Sequence, residues 1–300
     1  MAENMSYHFA IIGTGAIGLG LAHLLCEHQC TMLTRNHNNH AGAALSVIEI
    51  DHETKMISAD VCKLSNMTGK DWKRVDLLIL PVKFYHLSAL IEQLRSNLPN
   101  TLPMLLLQNG LGGHQLLGDA FPSNPIYLGS TTDAITTLKA QQIQIHARGE
   151  LVIGSLNRTI PSGALRALMK AHPKAIWEDQ IMTYLYRKLA VNAVINPLTA
   201  KYQCRNGELS EHLEQVEVLK QEVFTLYQAL SLNIELPALN NYIDSVIALT
   251  TNNYSSMYQD VKHRRPTEID SILGVLLTKA AAHKVPLPLI QSLYDEIKAL

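Results

Sequence analysis

The segment Arg187-Lys188-Leu189-Ala190-Val191-Asn192-Ala193-Val194-Ile195-Asn196-Pro197 spaces an ammonium and two carboxamides four residues apart in an otherwise apolar run. On a helix each step of four rotates only about 40° while rising about 6 Å, so Lys188, Asn192 and Asn196 share one face and line a polar groove. Polar groups among apolar neighbours are costly without partners, and lysine is a group whose pKa falls readily toward working pH when water is withdrawn. A poised proton donor flanked by amides is the chemistry such a face offers. The same spacing is met by an amphipathic helix with one wet side, and the two readings stand equal on spacing alone.

The elements that must position these groups begin at the other end of the chain. Residues 8–12 read as a short buried strand, followed by Gly13-Thr14-Gly15-Ala16-Ile17-Gly18 and an apolar helical run over 19–26. Strand, glycine turn and helix in that order form the dinucleotide fingerprint of a Rossmann-type domain. Gly13 permits the tight turn, Gly15 lets the backbone approach a pyrophosphate, and Gly18 lets helix and strand pack closely. The helix N-terminus adds N–H donors and partial positive charge. An incidental glycine turn is the competing explanation.

A second strand over 30–34 leads into Thr34-Arg35-Asn36-His37-Asn38-Asn39-His40. An NAD enzyme usually places an acid there for the ribose 2′-hydroxyl, and this segment has none. Arg35 suits a 2′-phosphate, which points to NADP(H) as the cofactor, unless it is simply a solvated loop arginine. Further apolar strands over 75–80 and 103–108 end in Pro81-Val82-Lys83 and Gln108-Asn109-Gly110. Ligands gather at the carboxyl ends of parallel strands, so Lys83 is a phosphate candidate and Asn109 a nicotinamide-side candidate. Asn-Gly is also a favoured turn dipeptide. Strand-like runs at 126–129, 143–146 and 150–153 extend the sheet with antiparallel edge members.

After about residue 177 the pattern turns helical, with apolar-periodic segments from 181, over 208–230, from 237 past 246 and over 268–283. The expected fold is therefore α/β, an N-terminal Rossmann-type dinucleotide-binding domain over 1–179 followed by an all-helical C-terminal domain over 180–300. Pro197 should kink or end the lysine helix just after Asn196. Pro266-Thr267-Glu268-Ile269-Asp270 reads as a helix start, with Glu268 as an acid near the N-terminal dipole.

Composition narrows the classes. At 300 residues and 47% hydrophobic content, two domains are expected, and a formal charge of −1 without a basic stripe gives nucleic acid or a membrane surface no electrostatic footing. Cys26, Cys30, Cys62 and Cys204 form no C-x-x-C pair, and the histidines show no metal-ligand spacing. Residues 1–6 are polar, with no apolar signal core, so a soluble, cytoplasmic protein is expected, a monomer or homodimer acting on a small molecule.

The whole chain resembles the ketopantoate reductase family. The resemblance rests on Gly13-x-Gly15-x-x-Gly18, Gln108-Asn109-Gly110, Arg187-Lys188-Leu189-Ala190-Val191-Asn192, Asn196-Pro197-Leu198-Thr199-Ala200, Asn206-Gly207-Glu208-Leu209, Ser255-Ser256-Met257-x-Gln259-Asp260 and Thr267-Glu268-Ile269-Asp270. It implies NADPH-dependent reduction of ketopantoate to (R)-pantoate in pantothenate and coenzyme A synthesis. Lys188 would then be the catalytic acid, with Glu268 binding the ligands and placing that lysine. Asn192, Asn196, Asn253 and Ser256 would hold substrate, and Asn109 would lie beside nicotinamide and substrate. The Gly13–Gly18 turn, with Thr14, Ala16 and Ile17, would bind the cofactor, whose 2′-phosphate would meet Arg35 and Lys83. Pro81, two residues before Lys83, departs from the family pattern and weakens the Lys83 assignment. Two alternatives remain open: a reductase of another branched 2-keto acid or a β-hydroxyacid dehydrogenase, and a non-enzymatic NADPH sensor on the same fold.

Overall fold

A computed structural model describes residues 5–35 and 40–300, the side chains of His40 and Ala41 excepted; residues 1–4 of the polar start and 36–39 of the acid-free segment lie outside it. The chain divides into two compact units, one comprising the residues up to Gln108 with Gly113–Ile181, the other Asn109–Gly112 with Met182–Leu300.

The first unit is built as β1 (His8–Ile12), α1 (Ala16–Leu24), β2 (Gln29–Thr34), β3 (His40–Ile48), β4 (Thr54–Lys63), α2 (Gly69–Trp72), β5 (Leu77–Leu80) and α3 (Phe84–Leu94). It continues through β6 (Met104–Leu107), α4 (Gly113–Ala120), β7 (Ile126–Thr131), β8 (Ala134–Lys139), β9 (Gln142–Ala147), β10 (Leu151–Ser155), α5 (Gly163–Ala171) and β11 (Ala175–Trp177). The described strands form one sheet in the order β11-β10-β7-β6-β5-β1-β2-β4-β3-β9-β8. Its centre is parallel: β1 lies between β2 and β5, with Ile11 beside both Met32 and Ile79. These strands are buried on both faces, hence their unbroken apolar sequences such as Leu77-Leu78-Ile79-Leu80. Strand order reverses direction about β1, the arrangement that opens a ligand crevice at the carboxyl ends of a doubly wound sheet.

The outer strands differ from the sequence expectation. Antiparallel members do occur, but β10 is internal, antiparallel to β7 and parallel to β11, and β9 lies between β3 and β8. Strands β3, β4 and β8 carry no long apolar run; β4 reads Thr-Lys-Met-Ile-Ser-Ala-Asp-Val-Cys-Lys and exposes most of its first half.

The second unit contains α6 (Ile181–Tyr202), a 3-10 segment (Asn206–His212), α7 (Leu213–Ala229), α8 (Leu236–Leu249), α9 (Ser256–Lys262), a π turn (Asp270–Gly274), α10 (Val275–His283) and α11 (Pro288–Lys298). Helix α6 buries Leu189, Ala190, Ala193, Val194, Leu198 and Ala200, covering most of its circumference, so it serves as the unit's central helix. Contrary to one expectation, α6 does not end at Pro197, which lies inside it. The surrounding packing holds the turn despite the missing N–H: Leu198, Thr199 and Ala200 are fully enclosed, and Thr199 Oγ1 lies 2.7 Å from Ser255 Oγ at the start of α9.

Among the described residues no helix is long and apolar enough to cross a membrane. One buried carboxylate secures the last helix. Glu222 of α7 accepts the Leu289 and Ile290 N–H groups through its two oxygens, 2.8 and 2.9 Å, satisfying donors that open α11. Glu222→Ala orphans both, and we expect a loss of about 1.5–3 kcal/mol in urea unfolding; an unchanged midpoint would mean that water satisfies the α11 start equally well.

Candidate active site

The glycine turn has the geometry its sequence requires. Gly13 follows β1 with φ of +92° and anchors the turn through its N–H to the Leu33 carbonyl, 2.7 Å. A Cβ on Gly18 would stand 2.6 Å from the Gly13 carbonyl oxygen, whereas Cβ atoms on Gly13 or Gly15 would meet nothing. Gly18 is therefore fixed by packing, and the space over Gly13 and Gly15 is open. Gly15 caps α1 without a side-chain hydrogen bond, and the first intrahelical pair is Leu19 N–H to the Gly15 carbonyl, 2.9 Å. The N–H groups of Ala16, Ile17 and Gly18 thus point out of a nine-residue helix start that favours an anion. Ile17 can contribute only its backbone there, because its side chain packs on the core. Thr14 lies within the turn, partly buried.

Arg35 emerges from the end of β2, exposed. Its guanidinium is near enough to His86, in the first turn of α3, to add to the burial that lowers that imidazole's pKa. A cavity of about 620 Å³ opens beside Arg35, lined also by Thr34, Lys63, Leu64, Ser65 and Trp72. Lys83 is not among its lining residues. The residue caps α3, and the Pro81-Val82 segment before it is pinned where Gln108 donates its side-chain N–H to the Val82 carbonyl, 2.9 Å. The open glycine floor and the helix start fit the pyrophosphate of a dinucleotide, with exposed Arg35 at the end of the neighbouring strand.

The second unit collects the titratable groups. Lys188 of α6 keeps part of its surface accessible, yet burial of the ammonium lowers its pKa to about 8 against the opposing pull of the Glu268 carboxylate. Glu268 itself is buried at 6% exposure and accepts a hydrogen bond from the Asn109 amide, 3.2 Å. Its place is just before the helix, since its carbonyl receives the Ser271 and Ile272 N–H groups. Its carboxylate is engaged at Asn109 and Lys188, so helix capping does not exhaust its role.

Asn192 is half-buried and Asn196 buried at 7% exposure, one and two turns along α6 from Lys188. Asn253 and Ser256 are exposed, and both are braced from behind. The Asn253 carbonyl accepts the Asn206 N–H, 2.9 Å, while Ser255, the cap of α9, ties to Thr199. Sequence reasoning singled out neither Thr199 nor Ser255 as functional, although both fall inside quoted motifs.

A further contact had no sequence signal. In the π turn the Val275 N–H reaches back to the Asp270 carbonyl, and the Ser271 carbonyl accepts the Leu111 N–H, 2.9 Å. Gly110, at φ of +79°, lies so close that a Cβ would overlap the Ser271 carbonyl oxygen. The bulged turn thus seats the Asn109–Gly112 loop and brings Asn109 onto Glu268, a contact spanning 159 residues of sequence.

A Rossmann-type nucleotide unit and a helical unit with a depressed-pKa lysine define a nicotinamide-dependent class of oxidoreductase. Family models described as "Ketopantoate reductase PanE/ApbA" and "Ketopantoate reductase PanE/ApbA C terminal" match residues 9–158 and 180–300, and the chain belongs to the ketopantoate reductase family. A 2-dehydropantoate 2-reductase of Vibrio cholerae is 30% identical over 98% of this chain and 97% of its own. That of Escherichia coli O157:H7 is 36% identical over 74% and 73%. Among solved structures, a probable 2-dehydropantoate 2-reductase of Bacillus subtilis superposes with a TM-score of 0.84 at 27% identity, covering 97% of this chain and 99% of that one. The fold is also that of a D-mandelate dehydrogenase solved with NADH and anilino(oxo)acetate, TM-score 0.85 at 22% identity, with 97% of each chain covered.

Gly13→Ala incurs only a left-handed backbone cost of about 1–2 kcal/mol, whereas Gly110→Ala adds overlap with a buried carbonyl. We expect the urea midpoint to fall further for Gly110→Ala; the reverse order would sink the proposed seat.

Proposed function

We propose that this protein reduces 2-dehydropantoate to (R)-pantoate with NADPH, a step of pantothenate and coenzyme A synthesis. The observation that carries the reading is Lys188, an ammonium with its pKa drawn to about 8, coupled to buried Glu268, which in turn holds Asn109. The 2-dehydropantoate 2-reductases to which the chain is similar along its length supply the substrate.

Bound NADPH supplies the hydride. The protein's part is the charge and the proton: as the keto carbon is reduced its oxygen gains negative charge, and the Lys188 ammonium stabilises that oxygen and protonates it. Glu268 keeps Lys188 charged in surroundings that would otherwise discharge it. Asn192, Asn196, Asn253 and Ser256 offer neutral donors to the substrate carboxylate and hydroxyl, so they orient the ligand without altering the charge balance. The α1 start and Arg35 hold phosphates, with Arg35 favouring NADPH over NADH.

The deciding assay follows loss of NADPH absorbance with ketopantoate, run beside NADH and 2-ketoisovalerate. Fast oxidation confined to NADPH with ketopantoate is expected; NADPH binding without turnover would move the protein to a sensing role, and preference for another keto acid would replace the substrate.

The pH dependence follows from the same lysine. The donor must be protonated, so the reduction rate should fall as pH rises through about 8. Because the Glu268 charge raises the Lys188 pKa, Glu268→Gln should move that alkaline limb to lower pH. A limb that stays in place would remove the coupling from the mechanism.

A further inference from the structure

Helix α11 is fixed at its start by Glu222 and buries Ile290, Leu293 and Ile297, which leaves Tyr294 and Lys298, four residues apart, on a common face. Both reach Asp270, the first residue of the π turn. The Tyr294 hydroxyl donates to its Oδ1 at 2.8 Å and the Lys298 ammonium to its Oδ2 at 2.9 Å, so one carboxylate is held through both oxygens. The far end of the turn meets the same ring, since a Cβ on Gly274 would stand 3.2 Å from the Tyr294 ring edge. Asp270 keeps 40% of its side chain accessible, so water could satisfy it; what the two α11 donors add is a fixed position for its backbone.

A π turn needs such a hold. It carries one residue more than the regular helix it interrupts and is rarely stable by itself. Relaxing it to α geometry would rotate everything upstream by about 100° relative to α10. What lies upstream and within the turn is the candidate site: Glu268 stands two residues before Asp270, and the Ser271 carbonyl takes the Leu111 N–H, 2.9 Å, in the loop that brings Asn109 onto Glu268. Ser271 also donates its hydroxyl to the Glu268 carbonyl, 3.1 Å, which ties the backbone of that acid into the same turn.

We propose that Tyr294, with Lys298, is a positioning residue of the reaction: through Asp270 it holds the π turn, and through the turn it keeps the Glu268 carboxylate and Asn109 in place against Lys188. The proposal rests on the reductase reading above. The α11 pair acts on where the carboxylate stands, not on the reacting atoms. Glu268 is the charged group that acts on the Lys188 ammonium, while Asp270, Lys298 and Asp295 are those around the Tyr294 hydroxyl. A carboxylate that drifts therefore weakens the hold of Lys188 on its proton.

Tyr294→Phe keeps the ring against Gly274 and removes the hydroxyl, and Asp270→Ala removes both grips. In ketopantoate reduction by the full chain, Tyr294→Phe should lower kcat about three- to tenfold, as a small misplacement of a catalytic group does. It should leave the NADPH KM within about twofold and move the alkaline limb to lower pH. Asp270→Ala should do the same more strongly. In the Glu268→Gln background Tyr294→Phe should move the limb no further, since no carboxylate is left to place. Hydrogen exchange of the Leu111 amide, followed by NMR, should quicken about tenfold in Tyr294→Phe. If kcat and limb match the wild type while the urea midpoint falls, the contact is structural only; the proposal is overturned and the reductase reading stands. A limb shift that persists in the Glu268→Gln background overturns it too, because the effect then bypasses the carboxylate. If the wild-type protein does not reduce ketopantoate, the reductase reading fails and Leu111 exchange decides alone: faster exchange keeps the hold of α11 on the loop, and unchanged exchange removes it.

Discussion

An ammonium held charged where much of its water is withdrawn is the constraint from which the rest of this site follows. Burial pulls the Lys188 pKa from 10.5 to about 8, an environmental bias of about 3 kcal/mol against its charge. A lysine so placed would become a neutral amine near physiological pH without an opposing charge, and the Glu268 carboxylate supplies it. Removing a carboxylate from water carries its own cost, which is met only if its oxygens find donors. Asn109 provides one, and the π turn with Gly110 fixes where Asn109 stands. Each member is needed to make the previous one tolerable. Three segments far apart in sequence are thereby committed to one place.

That chain of dependence explains which parts were legible beforehand. Lys188, Asn192 and Asn196 could be grouped because helical periodicity is local and strict. The turn from Gly13 to Gly18 could be read because its glycines answer to contacts within the same dozen residues, above all Gly18 against the Gly13 carbonyl. Central strands β1, β2, β5 and β6 announce themselves as apolar runs because both faces are covered. Strands β4 and β8 do not: much of their length faces solvent, and a half-wet polar strand resembles a loop in sequence.

Pro197 shows a local rule overruled by packing. Proline in a helix interior removes one hydrogen bond and strains the preceding turn, at a cost of about 3 kcal/mol. Yet α6 continues to Tyr202 because Leu198, Thr199 and Ala200 are wholly enclosed, and Thr199 joins the cap of α9. The same link places Ser256, the next residue, at the start of α9. Neither link could be read from spacing, for Thr199 and Ser255 are 56 residues apart and neither is chemically unusual. The π turn is the extreme case. Its cause lies in a backbone carbonyl recruited by Leu111, and a side-chain sequence carries no record of that.

On the proposed function the two units use electrostatics in opposite regimes, and the division follows from what each would recognise. Phosphates are permanently charged, so a site for them can remain open to water: on the proposed function, N–H groups at a helix start and exposed Arg35 would attract anions across solvent and select by charge. A ketone is neutral and acquires charge only while it reacts. An exposed cation would be screened by water and would favour that fleeting charge little, whereas a partly desolvated ammonium interacts with it through a lower dielectric. On that reading burial serves Lys188 and would be wasteful at Arg35. A buried cation unsupported by an acid would also discharge, so the carboxylate belongs with the lysine and its absence suits the end of β2. The sequence distributes its charges accordingly: Glu268 stands against Lys188, and no acid occurs from Thr34 to His40.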